Sequence, residues 1–287
     1  MTSGKFAVYK TLSLPLILNC VADDSRAVFK LAVLTMSSPV LISSLFGKSG
    51  ITLEDISCLR RAGFETVESV AYSPRTAFVD VEGLSAPGKI DELLMETYRL
   101  IPMWFITAKA TMEINSKSAF KITTGSSDLD SIIGGGVESG FITEIFGESN
   151  TGKTQLSETL SVTCQLPFEL GGGDGKCIYI YTDASFRPER VVKFAQRFGI
   201  QDKALDNINC AYAHNSDRQL QLLQDARPVL AQDRYALVIV DSCTHLFRSD
   251  YAGFNQLQAR QSSLSNFLNT LKRIAMDVIP RLPILPS

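Results

Sequence analysis

The chain has little of what several functional classes require. Its 287 residues include only two histidines and one tryptophan. His214, His245 and Trp104 show no metal-ligand spacing, so all three read as structural. Six cysteines (Cys20, Cys58, Cys164, Cys177, Cys210, Cys243) are scattered without a C-x-x-C pair, which excludes a disulfide framework and fits a reducing compartment, nucleus or cytosol. The longest charge-free run is polar and broken by proline, so no segment reads as a bilayer span. Positive charge is not in excess either. With 28 basic and 30 acidic residues the net charge is −2, so no whole-molecule field draws the chain onto nucleic acid or an anionic membrane, and any such contact must be local. What is present is a 45% hydrophobic composition, enough core for one large domain with a small partner.

Residues 1–38 stand apart. Lys5 and Lys10 precede TLSLPLILNCVA, which imitates the charged start and short apolar run of a secretion signal. No disulfide framework follows, so the reading taken is a non-native or poorly ordered leader, with a targeting segment as its alternative. Over 39–104 the pattern becomes helical. Thr52 and Asp55 are spaced as a capping box, with Leu53, Ile56 and Leu59 on one face. After Gly83-Leu84-Ser85 and Pro87-Gly88, a second helix carries Ile90, Leu94, Tyr98 and Ile101. The pair reads as a helix-hairpin-helix, whose turn either offers backbone N–H groups to a nucleic-acid phosphate or is a plain packing unit. Residues 105–118 read as a linker.

From residue 119 to 276 the period changes. FITEIF (141–146), CIYIYT (177–182), INCAYA (208–213) and ALVIVD (236–241) are short apolar or alternating runs. They are separated by helical segments such as PERVVKFAQRFG, with Pro188 at its start and Gly199 at its end. Strands alternating with helices imply an α/β class with a parallel sheet covered on both faces.

Between the first strand and the next helix lies Gly147-Glu148-Ser149-Asn150-Thr151-Gly152-Lys153-Thr154. At this spacing the glycines let backbone N–H groups wrap a β-phosphate, Lys153 meets β/γ oxygens and the Thr154 hydroxyl reaches Mg²⁺, so ATP and Mg²⁺ are the expected cofactors. Asp241, after four apolar strand residues, reads as the carboxylate that holds the metal through water, or as a helix N-cap. Asp183, just beyond the CIYIYT strand, stands equally as the group that polarises the attacking water and as the cap of the next turn.

Seven stretches carry a resemblance to a known family: GFETVESVAYSPR, LIPMWFITA, ITTGSSDLDSIIGGGVESGFITEIFGESNTGKTQ, VTCQLPFELGGGDGK, FRPER, RYALVIVDS and RSDYAGFNQLQARQ. From about Pro39 to Met276 the chain resembles the eukaryotic RecA-type recombinases, which assemble on single-stranded DNA and exchange strands during homologous recombination. The CQLP…GGGDGK and FRPER pieces are most similar to the general, mitotic recombinase. The resemblance implies a RecA-like P-loop core, with Arg190 stacking on adenine, Lys153 and Asp183 catalytic, and Phe105 with Ala108 as a hook inserted into a neighbouring subunit of a filament. From the residues alone, Phe105 equally well seals its own domain. Arg248 and Arg260 bound what looks like a first DNA-binding loop. The implied partners are single- and double-stranded DNA, further copies of the chain and recombination mediator proteins, in the nucleus and not at a membrane.

The chain departs from the family pattern in three places. Asp183 stands where the family has Glu, one methylene longer, between Tyr181 and Ala184 where Asp and Gly are usual. The loop tip reads Phe254-Asn255-Gln256 in place of a basic residue and glycine; Phe254 offers a stacking surface, but a cation is lost. Residues 277–287, within DVIPRLPILPS, replace the strand that in the family lies between the P-loop strand and the ALVIVD strand, along with a second DNA loop. Pro280, Pro283 and Pro286 bar this tail from a central strand. The expectation is a C-terminally incomplete recombinase in which FITEIF and ALVIVD face an unfilled gap. Rival readings are a non-exchanging regulatory paralogue and an inactive truncated isoform.

Overall fold

Thr52 and Asp55 form the reciprocal cap that their spacing predicts: the Asp55 N–H donates to Thr52 Oγ1 at 3.3 Å, and the Thr52 N–H donates to Asp55 Oδ2 at 2.7 Å. They open the first of the helices in a computed structural model that describes residues 6–11, 29–35, 40–48, 50–84, 88–101, 105–183, 186–253 and 255–277. The chain divides into two compact units, one of residues 1–36, 120–226 and 234–275, the other of 37–119, 227–233 and 276–287.

The second unit holds α1 (Leu53–Arg61), α2 (Val67–Ala71), α3 (Lys89–Leu100) and α4 (Ala108–Ser118). Its core gathers Ile42, Leu45, Leu59, Val70, Phe78, Leu84 and Leu93, all 0–1% exposed. Ile56 and Leu59 lie in this core as their spacing predicts, but Leu53 is 66% exposed. Helical side chains lean toward the N-terminus, so at the first helical position Leu53 projects past the end of the helix instead of over a turn of it. On α3 the buried set is Leu93, Leu94, Glu96 and Thr97, while Tyr98 is exposed and Ile90 half-buried. Residues 85–87, the middle of the expected hairpin turn, lie outside the described residues, as does Trp104.

The first unit is the expected α/β core. Its strands are β1 (Phe6–Thr11), β2 (Phe29–Thr35), β3 (Lys121–Ile122), β4 (Val137–Glu138), β5 (Ile142–Gly147), β6 (Lys176–Tyr181), β7 (Ile208–Tyr212) and β8 (Tyr235–Asp241). Its helices are α5 (Ser127–Ile132), α6 (Lys153–Thr163), α7 (Pro188–Arg197), α8 (Ser216–Gln232, whose last turns enter the other unit), α9 (His245–Asp250) and α10 (Leu257–Asp277, ending just beyond it). The six-stranded sheet has the order β1-β5-β2-β8-β6-β7, and β3 pairs with β4 in a separate ribbon. β8 is buried along its whole length, as a strand covered on both faces must be. α6 packs on β5, β6 and β8, with α7 beside it.

The centre of this sheet corrects one expectation. β5 and β8 do not face a gap, because β2 lies between them and runs antiparallel to both. β1 pairs with the other side of β5, also antiparallel, so the leader contributes two strands. The physical reason is local: two inward edges with unpaired N–H and C=O groups are satisfied by any adjacent strand, and an antiparallel ladder serves as well as a parallel one. The sequence FKLAVLT, aromatic and aliphatic with a single charge, suits a strand buried among others. The signal-like run after Thr11 and the proline-rich tail after Asp277 lie outside the described residues.

Candidate nucleotide-binding site

The register of β2 sets the level of the site. Phe29 is opposite Gly147 at the end of β5, and Leu31 is opposite Asp241 at the end of β8, so the phosphate-loop start and the strand-end carboxylate come out at the same edge of the sheet. Ligands of parallel α/β sheets bind beyond the carboxyl ends of the strands, and here β5, β8, β6 and β7 share that direction. A cleft of about 580 Å³ lies there, lined by Ser149, Asn150, Thr151, Gly152, Lys153, Thr154, Gln155, Asp183, Arg190 and Asp241.

Between Gly147 and Lys153 the chain turns tightly through two left-handed residues, Asn150 (φ 61°) and Gly152 (φ 95°). Glycine is the residue that adopts the second of these without strain, and it forms the N-cap of α6. The loop therefore delivers the chain to the N-terminus of an eleven-residue helix, where N–H groups and the helix dipole favour an anion. Lys153 is 8% exposed, and its ammonium donates to the Gly147 carbonyl at 2.9 Å, to the Glu148 carbonyl and to Thr151 Oγ1 at 3.2 Å. Burial pushes its pKa down, and the Asp241 charge pushes it back up.

Asp241 is 7% exposed. Burial raises its pKa first, and the nearby charges of Asp183 and Glu158 raise it further. Hydrogen bonds from the Thr154 hydroxyl and from Tyr179, whose Oη lies 3.2 Å from Oδ2, hold the charged form. Asp241 does not cap the next helix, because α9 begins after Thr244; that alternative falls away. The Thr182 N–H donates to the Asp241 carbonyl at 2.9 Å, and the Ser242 N–H donates to Thr182 Oγ1 at 3.0 Å, so the ends of β6 and β8 are tied together with exposed Asp183 at the mouth. Ala184 and Ser185 lie outside the described residues. The donor set fits a magnesium nucleotide. Thr154 and Asp241 supply hard oxygens, the crowding of acids around Asp241 calls for a cation, and Mg²⁺ characteristically takes one or two carboxylates plus phosphate oxygens and water.

Arg190 reaches the cleft wall from α7. Its Nε and Nη2 both donate to the carboxylate of Glu158 on α6, the second at 2.6 Å to Oε1, and the Arg187 N–H donates to the same oxygen at 3.3 Å. Sequence reasoning missed Glu158. The available signal was that Lys153 and Glu158 are the only charged residues in α6, KTQLSETLSVT. Tyr179 was read only as part of a strand; it is fully buried, and its pKa is pushed well up by burial and by Asp241.

The remaining candidates lie elsewhere. Phe105 is completely exposed, which overturns the reading that it seals its own domain, and Ala108 begins α4. Arg248 is half-buried on α9, whereas Arg260 on α10 is 7% exposed and in this conformation is not offered to a phosphate backbone. Phe254 lies outside the described residues. His214 is exposed, and the backbone N–H of His245 donates to Ser242 Oγ at 3.2 Å, without ligand geometry around either side chain. Among the described residues no group of three His, Cys, Asp or Glu side chains is set to hold a metal, and no helix is long and apolar enough to cross a membrane.

The Rad51 family profile matches residues 115–279. The chain is 48% identical over 228 residues to the DNA repair protein RAD51 of Saccharomyces cerevisiae, covering 79% of this chain and 56% of that one. It is 47% identical over 238 residues to the DNA repair protein rhp51 of Schizosaccharomyces pombe (83% of this chain, 64% of that one), and 47% identical over 238 residues to the DNA repair protein RAD51 of Mycosarcoma maydis (83% and 69%). The chain thus spans less than two thirds of the length of the first two relatives.

Proposed function

Because the chain belongs to the Rad51 family, with its RecA-like fold, we propose that it is an ATP-dependent recombinase that works on DNA in homologous recombination and double-strand-break repair. One observation carries the nucleotide part of this reading: buried Asp241, bonded to the Thr154 hydroxyl, shares one cleft with Lys153 at the carboxyl edge of the sheet. In this reading the N–H groups of residues 148–152 wrap the β-phosphate, and Lys153 exchanges its bonds to the loop carbonyls for β/γ oxygens. Thr154 and Asp241 hold Mg²⁺, which when bound neutralises developing charge on the phosphoryl group. Asp183 orients the attacking water, and Arg190 faces the adenine.

ATP binding then favours filament assembly on single-stranded DNA, and hydrolysis releases it. Phe105 and Ala108 insert into the neighbouring subunit, a role supported by the complete exposure of Phe105. Arg248 and Arg260 contact DNA phosphates, single- and double-stranded, after a rearrangement that uncovers Arg260. Recombination mediator proteins are the expected partners and the nucleus the expected compartment. Asp183 favours a second reading, a regulatory relative that binds nucleotide without efficient turnover, because the shorter side chain stands back from the water. ATP binding and single-strand-stimulated hydrolysis, measured together on the whole chain, test both readings. Binding with hydrolysis supports the recombinase, binding without it supports the regulatory relative, and absence of binding removes both.

A further inference from the structure

Glu158 is 0% exposed, yet it carries a carboxylate one turn beyond the phosphate loop. Three donors meet it: Nε and Nη2 of Arg190, and the N–H of Arg187 at the start of α7. Both oxygens of a carboxylate removed from water are thus matched by donors, and the N-terminus of α7 adds a favourable dipole. The two-point contact has a second consequence. A guanidinium gripped by both oxygens of one carboxylate has its plane and position fixed, where a single contact leaves it swinging on a flexible stem. The grip also makes Arg190 a firmer cation. Arg190 lines the cleft from outside the phosphate cradle. It comes from α7, while the phosphate cradle belongs to the β5–α6 turn, and Glu158 is the side chain that couples the two.

We propose that Glu158 is a positioning residue that presents Arg190 to the base of a bound adenine nucleotide. Affinity for the nucleoside part then depends on Glu158, while affinity for the triphosphate part does not. This rests on the reading of the cleft as an ATP site. The rival role is a fastener between α6 and α7, and the two differ in a measurable way. An ion pair that only fastens, here with Glu158 buried and Arg190 half-buried, is replaceable by apolar side chains of similar volume without loss, whereas a positioned cation is not.

The test uses the whole chain with Mg²⁺, displacement of a fluorescent ATP analogue by ATP and by inorganic tripolyphosphate, and a thermal melt of each variant. E158Q is expected to weaken ATP binding about tenfold while tripolyphosphate affinity changes less than about twofold, the scale of one charge-assisted contact. E158L/R190L is expected to melt at or above the wild-type temperature yet bind ATP at least about tenfold more weakly. Wild-type ATP affinity in the double variant assigns the pair to fastening and overturns the proposal, as does an equal loss of ATP and tripolyphosphate in E158Q. If the double variant does not fold, the ratio of the two losses in E158Q decides alone. A wild-type chain that binds neither probe brings down the nucleotide reading itself, and this inference with it.

Discussion

Lys153 already donates to the loop that surrounds it, so its removal acts twice, on the ligand and on the cradle. Lys153→Ala is expected to weaken ATP by about 1.5–3 kcal/mol, the range for a hydrogen bond to a charged group, and a fluorescence titration reads it directly. Unchanged affinity would remove the phosphate-loop assignment. Asp183→Glu extends the carboxylate by one methylene toward the cleft and is expected to raise the ATPase rate; a lower rate at preserved affinity would show that Asp183 does not act on the water. Asp241 brings a pH dependence. Its pKa is raised above the ordinary 3.8, by burial first, so the folded chain binds its proton more firmly than the unfolded chain. As pH rises from 3.8 through the raised value, that excess proton is lost and with it some stability of the metal-free protein. A divalent cation competes with the same proton, so the gain in Tm from Mg²⁺ is expected to grow over this window and to become flat with pH in Asp241→Asn. A gain that grows equally in the variant would place the metal elsewhere.

At the scale of elements, β2 is the strand on which the site depends. It lends ladder partners to β5 and β8 at once and brings Gly147 and Asp241 out at the same edge, opposite Phe29 and Leu31. Without it two inward edges stand open, each unsatisfied buried backbone group costing about 1–3 kcal/mol, and several such groups match a whole domain's stability of about 5–15 kcal/mol. Deletion of residues 1–36 is therefore expected to abolish cooperative melting and ATP binding together, with a peptide of residues 29–35 restoring part of both in trans. A deleted chain that melts sharply and still responds to ATP would show that the sheet closes by other means. Val33 is opposite both Thr143 and Ile239, so Val33→Pro, which removes a donor from a central strand, should lower stability by at least about 1 kcal/mol in a denaturant melt.

For the whole molecule the balance of charge limits any attraction to DNA. A net charge of −2 offers no long-range attraction, and the first-loop region provides half-buried Arg248 and buried Arg260. Single-strand affinity is expected to be weak, with a log–log salt slope of only a few units, since each neutralised phosphate contributes about 0.7. A tight, salt-insensitive complex would contradict the electrostatic account. Assembly is expected to run through Phe105, fully exposed among neighbouring exposed Ile106 and Met112. Phe105→Glu should convert large assemblies into monomers in sedimentation without altering ATP affinity.

Features that depend on neighbours along the chain were legible in the residues. Glycine and lysine spacing announced the tight turn into α6, apolar runs between helical periods announced β5, β6, β7 and β8, Thr52 and Asp55 announced a cap, and a strand-end aspartate announced the buried carboxylate of the cleft. These signals are local because backbone conformation and side-chain period are set within a few residues. Only the closed fold settles which segment fills the centre of the sheet, that Arg260 is buried, and that Glu158 grips Arg190. Each of these is a pairing between stretches far apart in the chain, or the lack of one. Its energy comes from satisfying a buried edge or a buried charge that exists only once the chain has closed on itself, so the residues nearby carry no more than a hint of it, as the single acid of α6 does for Glu158.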